Sequence, residues 1–345
     1  MNGESRYKEA GVDISAGDWI KKQIAQRIRQ TYSSRVLHRE GAFGGLFSLD
    51  GLNLRKPVLV SSIDGVGTKT KVALAASQAG GNWHRGIGHD LVNHSINDIL
   101  VCGARPLFFL DYFACAAQDD QLVLQLIEGM TEACRAAGIA LVGGETAQMP
   151  GVYAPGEYDL AGCIVGIVDE EKIIDGRAIV PGDRILGLPS SGLHTNGYTL
   201  ARKVLLEESR LDLRSRPAPL RRTLAEDLLE PHRSYLDAVM LLREKVAIHG
   251  LAHITGGGFK GNISRILPPG CQARIDTRLW QPLPIFQLIQ ERGGIGFEEM
   301  YRVFNMGIGM VIILSPGAAA TARDFLPESV AIGEIGEGEG VILSE

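Results

Sequence analysis

The segment Asp64-Gly65-Val66-Gly67-Thr68-Lys69 gathers a carboxylate, two glycines, a hydroxyl and an ammonium group into six residues. That set suits a metal–polyphosphate complex. Asp64 is a hard oxygen ligand for Mg2+, and Gly65 and Gly67 let backbone N–H groups approach phosphate oxygens. Thr68 adds a hydroxyl and Lys69 a positive charge. The order is not that of the P-loop, where Gly-Lys-Ser/Thr follows a longer glycine loop. A glycine turn capped by an aspartate would use the same residues, so the hexapeptide alone does not decide.

A helix is expected from about Asp90 to Cys102, stopping at Gly103. On its wheel Val92, Ile96, Ile99 and Leu100 make an apolar stripe, and Asp90, Asn93, His94, Asn97 and Asp98 lie opposite. The polar side holds no Lys, Arg or Glu, the residues that usually cover a solvated helix. This favours a functional face. Asp90 and Asp98 are two turns apart, about 12 Å in rise, so they could flank a cation cluster rather than share one ion. His84, His89 and His94 raise a zinc alternative. His89 and His94 are five apart rather than i, i+4, and no Cys is near, which disfavours it.

Further along, Gly143-Gly144-Glu145-Thr146 is expected at the mouth of a strand, where α/β sheets gather ligands. Asp64, Asp111 and Glu145 could therefore converge, although Asp111 could equally be a buried structural group. Gly41–Gly45, with Gly44 facing phosphate, is a candidate flap or an ordinary loop. In the second half, Ser190–Tyr198 packs Ser191, His194, Thr195 and Asn196 before a helix, suiting an anion or serving as a cap. Gly256-Gly257-Gly258 follows a strand ending in His253-Ile254 and opens a helix, a candidate phosphate cradle. His253 beside it is a candidate acid/base.

These groups must be positioned by strands and helices that alternate along the chain. Strands are expected at 58–63, 107–114, 139–142 and 160–168, with a second helix from Asp119 or Asp120 to Gly138. After the polar run Asp169–Lys172 the pattern restarts. Strands are expected at 184–188, up to Ile254, and at 273–276, 308–314 and 330–335; helices at 198–207 and 233–245. Arg210–Arg222 reads as an exposed connection. At 345 residues two domains are expected, 1–169 and 170–345, both α/β. A net charge of −5 disfavours nucleic acid. No apolar run approaches a membrane span, the N-terminus lacks a signal-peptide pattern, and five dispersed cysteines suit a reducing cytoplasm.

Tyr7–Ile14, Asp64–Lys69, Asn97-Asp98-Ile99, Pro106–Tyr112, Gly143–Gly151, Ser190–Leu200, His253–Phe259 and Met300–Met310 together closely resemble the aminoimidazole ribonucleotide synthetases (phosphoribosylformylglycinamidine cyclo-ligases). The resemblance spans nearly the whole chain. It implies an N-terminal ATP-binding domain whose sheet pairs with a second copy into a dimer barrel, and a C-terminal α/β domain that closes the substrate site. It implies ATP- and Mg2+-dependent ring closure of formylglycinamidine ribonucleotide, through phosphoryl activation of the formyl oxygen. By position, Asp64, Asp90 and Asp98 would hold metal, and Gly44, Gly65, Gly67, Thr68, Lys69, Glu145 and Thr146 the nucleotide. Ser191, Asn196 and Gly256–Gly258 would hold substrate, with His194, His253 and Asp98 catalytic.

Four positions depart from the family pattern. Gln148 replaces a common Glu, Arg105 a common acidic residue, and Asn93 and His94 small or apolar ones. Other members of the superfamily fit less well. Selenophosphate synthetase needs an N-terminal Cys or selenocysteine, whereas the first Cys here is Cys102. The hydrogenase-maturation enzyme ends in Cys, but this chain ends Leu343-Ser344-Glu345. Thiamine-monophosphate kinase lacks the His-x-Asn-Gly-Tyr run of 194–198. A catalytically silent nucleotide-binding subunit, which would bind ATP without turnover, is a further alternative, and the intact carboxylate and histidine sets argue against it.

Overall fold

In the computed structural model, residues 14–37, 44–78 and 80–345 are described, without the side chains of 14–18. The Tyr7–Asp13 stretch and Gly41–Phe43 of the expected flap lie outside them. The first half is a four-stranded sheet in the order β1-β4-β2-β3, formed by Pro57–Gly65 (β1), Arg105–Cys115 (β2), Ala140–Gln148 (β3) and Tyr158–Asp169 (β4). Only the β2–β3 pair is parallel. Helices Trp83–Leu100 and Asp120–Ala136 pack on one face. Asp119 caps the second of them, accepting from the Gln121 and Leu122 N–H groups, as its residue type predicts.

Helix Trp83–Leu100 starts seven residues before the expected Asp90. Gly86 and Gly88 make residues 83–89 look like loop, but Gly88 has a packing reason. A Cβ there would lie 2.2 Å from the Leu126 carbonyl, and one at Gly129 would lie 1.9 Å from that of Arg85. The two helices cross at backbone contact, which only glycine permits. β3 also runs six residues beyond the expected 142, so Gly143–Thr146 pair with Leu110–Phe113 inside the sheet rather than at its mouth.

The second half is a six-stranded mixed sheet in the order β10-β7-β9-β5-β8-β6. Its strands are Arg184–Pro189 (β5), Gly250–His253 (β6), Cys271–Asp276 (β7), Ile308–Leu314 (β8), Val330–Glu337 (β9) and Gly340–Ser344 (β10). β8 is buried at every position, which explains its unbroken apolar sequence. Helix Tyr198–Arg202 continues as a π-helix over Lys203–Glu208. No helix among the described residues is long and apolar enough to cross a membrane.

Candidate active site at the junction of the two sheets

The polar side of helix Trp83–Leu100 faces neither solvent nor an open site along most of its length. Asp90, His94 and Asn97 are buried. Asn93 Nδ2 donates to the His232 carbonyl at 2.7 Å, and Asn97 Nδ2 to that of Arg233 at 2.8 Å. Asn97 Oδ1 accepts from Tyr235 N–H at 2.9 Å, and Asp90 Oδ1 from His232 N–H at 2.7 Å. The helix thus grips the backbone of residues 232–235 from the second half. Short neutral and acidic side chains match a run of peptide groups, a use the sequence reading did not separate from ligand binding.

Lys69 belongs to the same clamp. Its ammonium lies 2.8 Å from both carboxylate oxygens of Asp90 and 2.8 Å from the Glu230 carbonyl, with both side chains fully buried. Burial lowers Lys69 and raises Asp90, and each charge opposes the other's shift. Of the expected nucleotide and metal groups, these two are spent on one another. Thr68 Oγ1 lies 3.2 Å from Thr199 Oγ1, another link between the halves.

Only the last turns of the helix reach a cleft. It measures about 520 Å3, and Ser62, Asp64, His94, Asp98, Asn196, His253, Gly256 and Arg265 are among the residues that line it. His94 Nε2 is 2.7 Å from Asp64 Oδ2 and 3.5 Å from Asp98 Oδ2, and His253 Nδ1 donates to Asp98 Oδ1 at 2.9 Å. Behind them His253 Nε2 meets His232 Nε2 at 3.1 Å, and Thr195 Oγ1 bridges His94 Nδ1 (2.5 Å) and His232 Nδ1 (3.4 Å). His194 stacks on His232 at 3.9 Å. Asp64 and Asp98 keep 45% and 25% of their side chains exposed, so the carboxylates front the cleft and the imidazoles back them.

Charge follows from that arrangement. Burial alone would lower His94, but hydrogen bonds to Asp64 and Asp98 and their charges outweigh it and raise it to about 9. His94 is therefore a cation at neutral pH, bridging two carboxylates. Burial would raise Asp98, yet hydrogen bonds from His253 and His94 hold it well below the usual carboxylate range. Asp64 is lowered too, its bond from His94 outweighing burial. Burial leaves His253, His194 and His232 neutral.

The second-half loops border the same cleft. Gly256 N–H donates to Asn196 Oδ1 at 3.0 Å, and Asn262 Nδ2 holds the carbonyls of Thr255, Gly256 and Gly258. Gly257 has φ +92°, and a Cβ at Gly258 would fall 1.8 Å from the Tyr301 carbonyl, so both glycines have backbone reasons. Ser191 Oγ donates to the Pro231 carbonyl, and Ser191 N–H to His194 Nε2. His194 itself lies fully behind the cleft, in a left-handed conformation with φ 62°.

Asp64, Asp111 and Glu145 do not converge. Asp64, Gly162, Asp111 and Gly144 are cross-strand partners on the helix-covered face, where burial raises Asp111 to about 7. Glu145 pairs with Tyr112 and so points to the opposite face with Leu59 and Ile63. Thr146 lies next along β3, Gly44 is exposed, Gly65 ends β1, and Gly67 follows in a left-handed conformation (φ 68°) just before helix Lys69–Ser77. Sequence reasoning missed His232, Thr195 as a bridge, and Arg265. For the cluster, one signal was available: His94 and Asp98 are four apart on a helix.

Residues 52–168 match the N-terminal domain of the AIR synthase related protein family, and residues 180–344 its C-terminal domain. Phosphoribosylformylglycinamidine cyclo-ligase of Myxococcus xanthus is 46% identical over 97% of this chain and 96% of its own. That of Geobacillus kaustophilus is 47% identical with the same coverage. Among solved structures, thiamine-monophosphate kinase from Stenotrophomonas maltophilia superposes with a TM-score of 0.68 at 17% identity, over 94% of this chain and 95% of its own. Escherichia coli HypE gives 0.67 at 20% identity, over 94% of each chain. These two share the fold. The sequence relatives go further, and the chain belongs to the AIR synthase related family, among its phosphoribosylformylglycinamidine cyclo-ligases.

Proposed function

We propose that this chain closes formylglycinamidine ribonucleotide to aminoimidazole ribonucleotide, using ATP and releasing ADP and phosphate. The observation that carries the reading is the juxtaposition of Asp64, His94, Asp98 and His253 with Asn196, Gly256 and Arg265 around one cleft between the two sheets. In the reaction a phosphoryl group passes from ATP to the formyl oxygen. The amidine nitrogen then attacks the formyl carbon, the C–N bond forms, and the C–O bond breaks as phosphate leaves with a proton lost from nitrogen.

Mg2+ fits the two carboxylates that face the cleft. It takes oxygen ligands and keeps several waters, which Asp64 and Asp98 allow by their exposure and Asp90, enclosed by Lys69 and His232 N–H, does not. When bound, the ion would neutralise phosphate charge. Asp98, held ionised, suits a cation better than a proton. His253 is then a positioning residue that orients Asp98, with His194 supporting Ser191 behind it. Arg265 and the Gly256–Gly258 turn are assigned to the ribose phosphate, and Asn196 and Ser191 to the substrate's edge. Lys69 and Asp90 are assigned to holding the halves together.

The remaining assignments rest on the resemblance and on the sheet's open face. Leu59, Ile63 and Tyr112 there are 58%, 74% and 39% exposed, an apolar area that fits a second copy of this chain. Glu145 and Thr146, on or beside that face, and the Gly44 loop would then meet nucleotide at a shared boundary. The functional boundary falls after Asp169, and five free cysteines support a reducing, cytoplasmic setting. The test is purified protein supplied with ATP, Mg2+ and formylglycinamidine ribonucleotide, with ADP and the aminoimidazole product both followed. No ADP with that substrate, alongside turnover of another amide or phosphate acceptor, overturns the reading.

A further inference from the structure

We infer that Asn262 is a positioning residue that fixes, through the turn at 255–258, which way round the Asn196 amide stands. The second-half wall of the cleft thereby offers N–H donors and selects an oxygen acceptor on the substrate. The inference rests on the function proposed above for the identity of that substrate. Asn262 is buried on the short helix that follows the turn. Its Nδ2 shares two hydrogens among the carbonyls of Thr255 and Gly256, each at 3.3 Å, and of Gly258 at 2.8 Å. Carbonyls only accept, so the nitrogen end of the amide must face them. Oδ1 is left for the Thr255 hydroxyl, which donates to it at 3.3 Å. Turning this amide over would set a buried oxygen against three others.

The turn so held brings Gly256 N–H to Asn196 Oδ1 at 3.0 Å. A backbone N–H only donates, so Asn196 gives its oxygen to Gly256 and turns its NH2 the other way. The backbone beside Asn196 is fixed independently. Gly197 has φ +80°, and a Cβ there would lie 2.3 Å from the Phe304 ring. Among the described residues nothing accepts from Asn196 Nδ2, and Asn196 lines the cleft together with Gly256 and Arg265. Two N–H groups are therefore left for what the cleft holds. Asn262, with both ends spent on the turn, acts on the substrate through Asn196.

The substrate carries both kinds of partner. Its amidine nitrogens bear N–H donors, and its formyl, ribose and phosphate oxygens accept. Asp64 and Asp98 on the first-half wall are acceptors, whereas the free end of Asn196 and the Arg265 guanidinium on the second-half wall only donate. An amidine set against Asn196 would oppose N–H to N–H and leave both unpaired. A site built for one hydrogen-bonding partner rejects the wrong one by that means. The second-half wall therefore reads an oxygen, and the amidine faces away from it.

The experiment compares the whole purified chain with Asn196→Asp, Asn262→Ala and the double variant, circular dichroism verifying each fold. Formylglycinamidine ribonucleotide is titrated by calorimetry without ATP, and hydrogen–deuterium exchange is followed in peptides covering 253–259. Asn196→Asp keeps the shape and the bond from Gly256 but presents an acceptor to the cleft, and should weaken the substrate by about 10–100-fold. Asn262→Ala should weaken it about 10-fold and speed exchange at 255–258. In the double variant Asn262→Ala should add little, because its effect runs through Asn196, whereas a residue that only supports the fold would add its full effect. Wild-type substrate affinity in Asn196→Asp, wild-type exchange in Asn262→Ala, or additive effects overturn the inference. Should Asn262→Ala not fold, Asn262→Ser takes its place in the cycle, and Asn196→Asp still decides the polarity. A wild-type chain that binds no formylglycinamidine ribonucleotide overturns the function proposed above and the oxygen preference with it. The exchange measurement uses no substrate and decides separately whether Asn262 holds the turn.

Discussion

His94 is the residue whose ionisation most shapes this site. Its ordinary value of 6.5 is raised to about 9, so its bridge contributes stability that is complete below about pH 6.5 and lost as pH rises towards 9. Urea unfolding at pH 6.5 and 9 should show a falling midpoint in the wild type and a flatter dependence in His94→Gln; equal slopes would mean that His94 is not charged. His253 tests a different relation. If it positions Asp98, His253→Ala should raise KM for Mg·ATP more than it lowers kcat. A fall in kcat of about 10²–10⁴ with KM unchanged would make it an acid/base group instead. Lys69 and Asp90 separate structure from ligand binding most sharply. Lys69→Met strands a buried carboxylate and should cost about 3–5 kcal/mol, much of it recovered in Lys69→Met/Asp90→Leu. A variant of normal stability with impaired ATP use would return Lys69 to the phosphate.

At the scale of elements, helix Trp83–Leu100 does three jobs along one length: it crosses a neighbour, clamps the second half and presents ligands. Its glycines are the place to test the first. Gly129→Ala gains about 1 kcal/mol of helix propensity but inserts a methyl against the Arg85 backbone. Overpacking of about 1–3 kcal/mol should win, and a stability equal to or above wild type in urea would show that the crossing relaxes freely. The same helix shows what was legible in the sequence. Its apolar stripe, its stop near Gly103 and the Asp119 cap of its neighbour follow local rules, and local rules can be read from one chain. The partner of its polar face could not be read, because residues 232–235 lie about 140 positions away and offer only peptide groups. His232 stayed hidden for the same reason. Only folding brings it between His253 and Thr195. Gly143–Thr146 misled because two glycines look like a strand's end, whereas β2 pairs straight across them.

At the scale of the whole molecule, the first sheet is covered on one side only. Helices bury the face that carries Phe109 and Asp64, while the other presents Leu59, Ile63 and Tyr112. Three large apolar side chains on β1 and β2, the two strands that flank β4, lie on one face of the sheet, and water contact along them is unfavourable by about 25 cal/mol per Å2. A second copy bringing the same face would cover both patches at once, as a two-fold interface does. Ile63→Lys places a charge at the most exposed of the three without touching the helix-side core, since Asp64 and Ser62 face the other way. Sedimentation equilibrium should then find wild-type dimers and Ile63→Lys monomers, with each chain still folded by circular dichroism. The nucleotide gives a second reading. With Glu145 and Thr146 at the shared boundary, monomers should bind ATP more weakly, whereas monomers with wild-type ATP affinity would confine the nucleotide to groups of a single chain. A wild-type monomer at all accessible concentrations would leave the apolar face for some other partner and remove the dimer from this account.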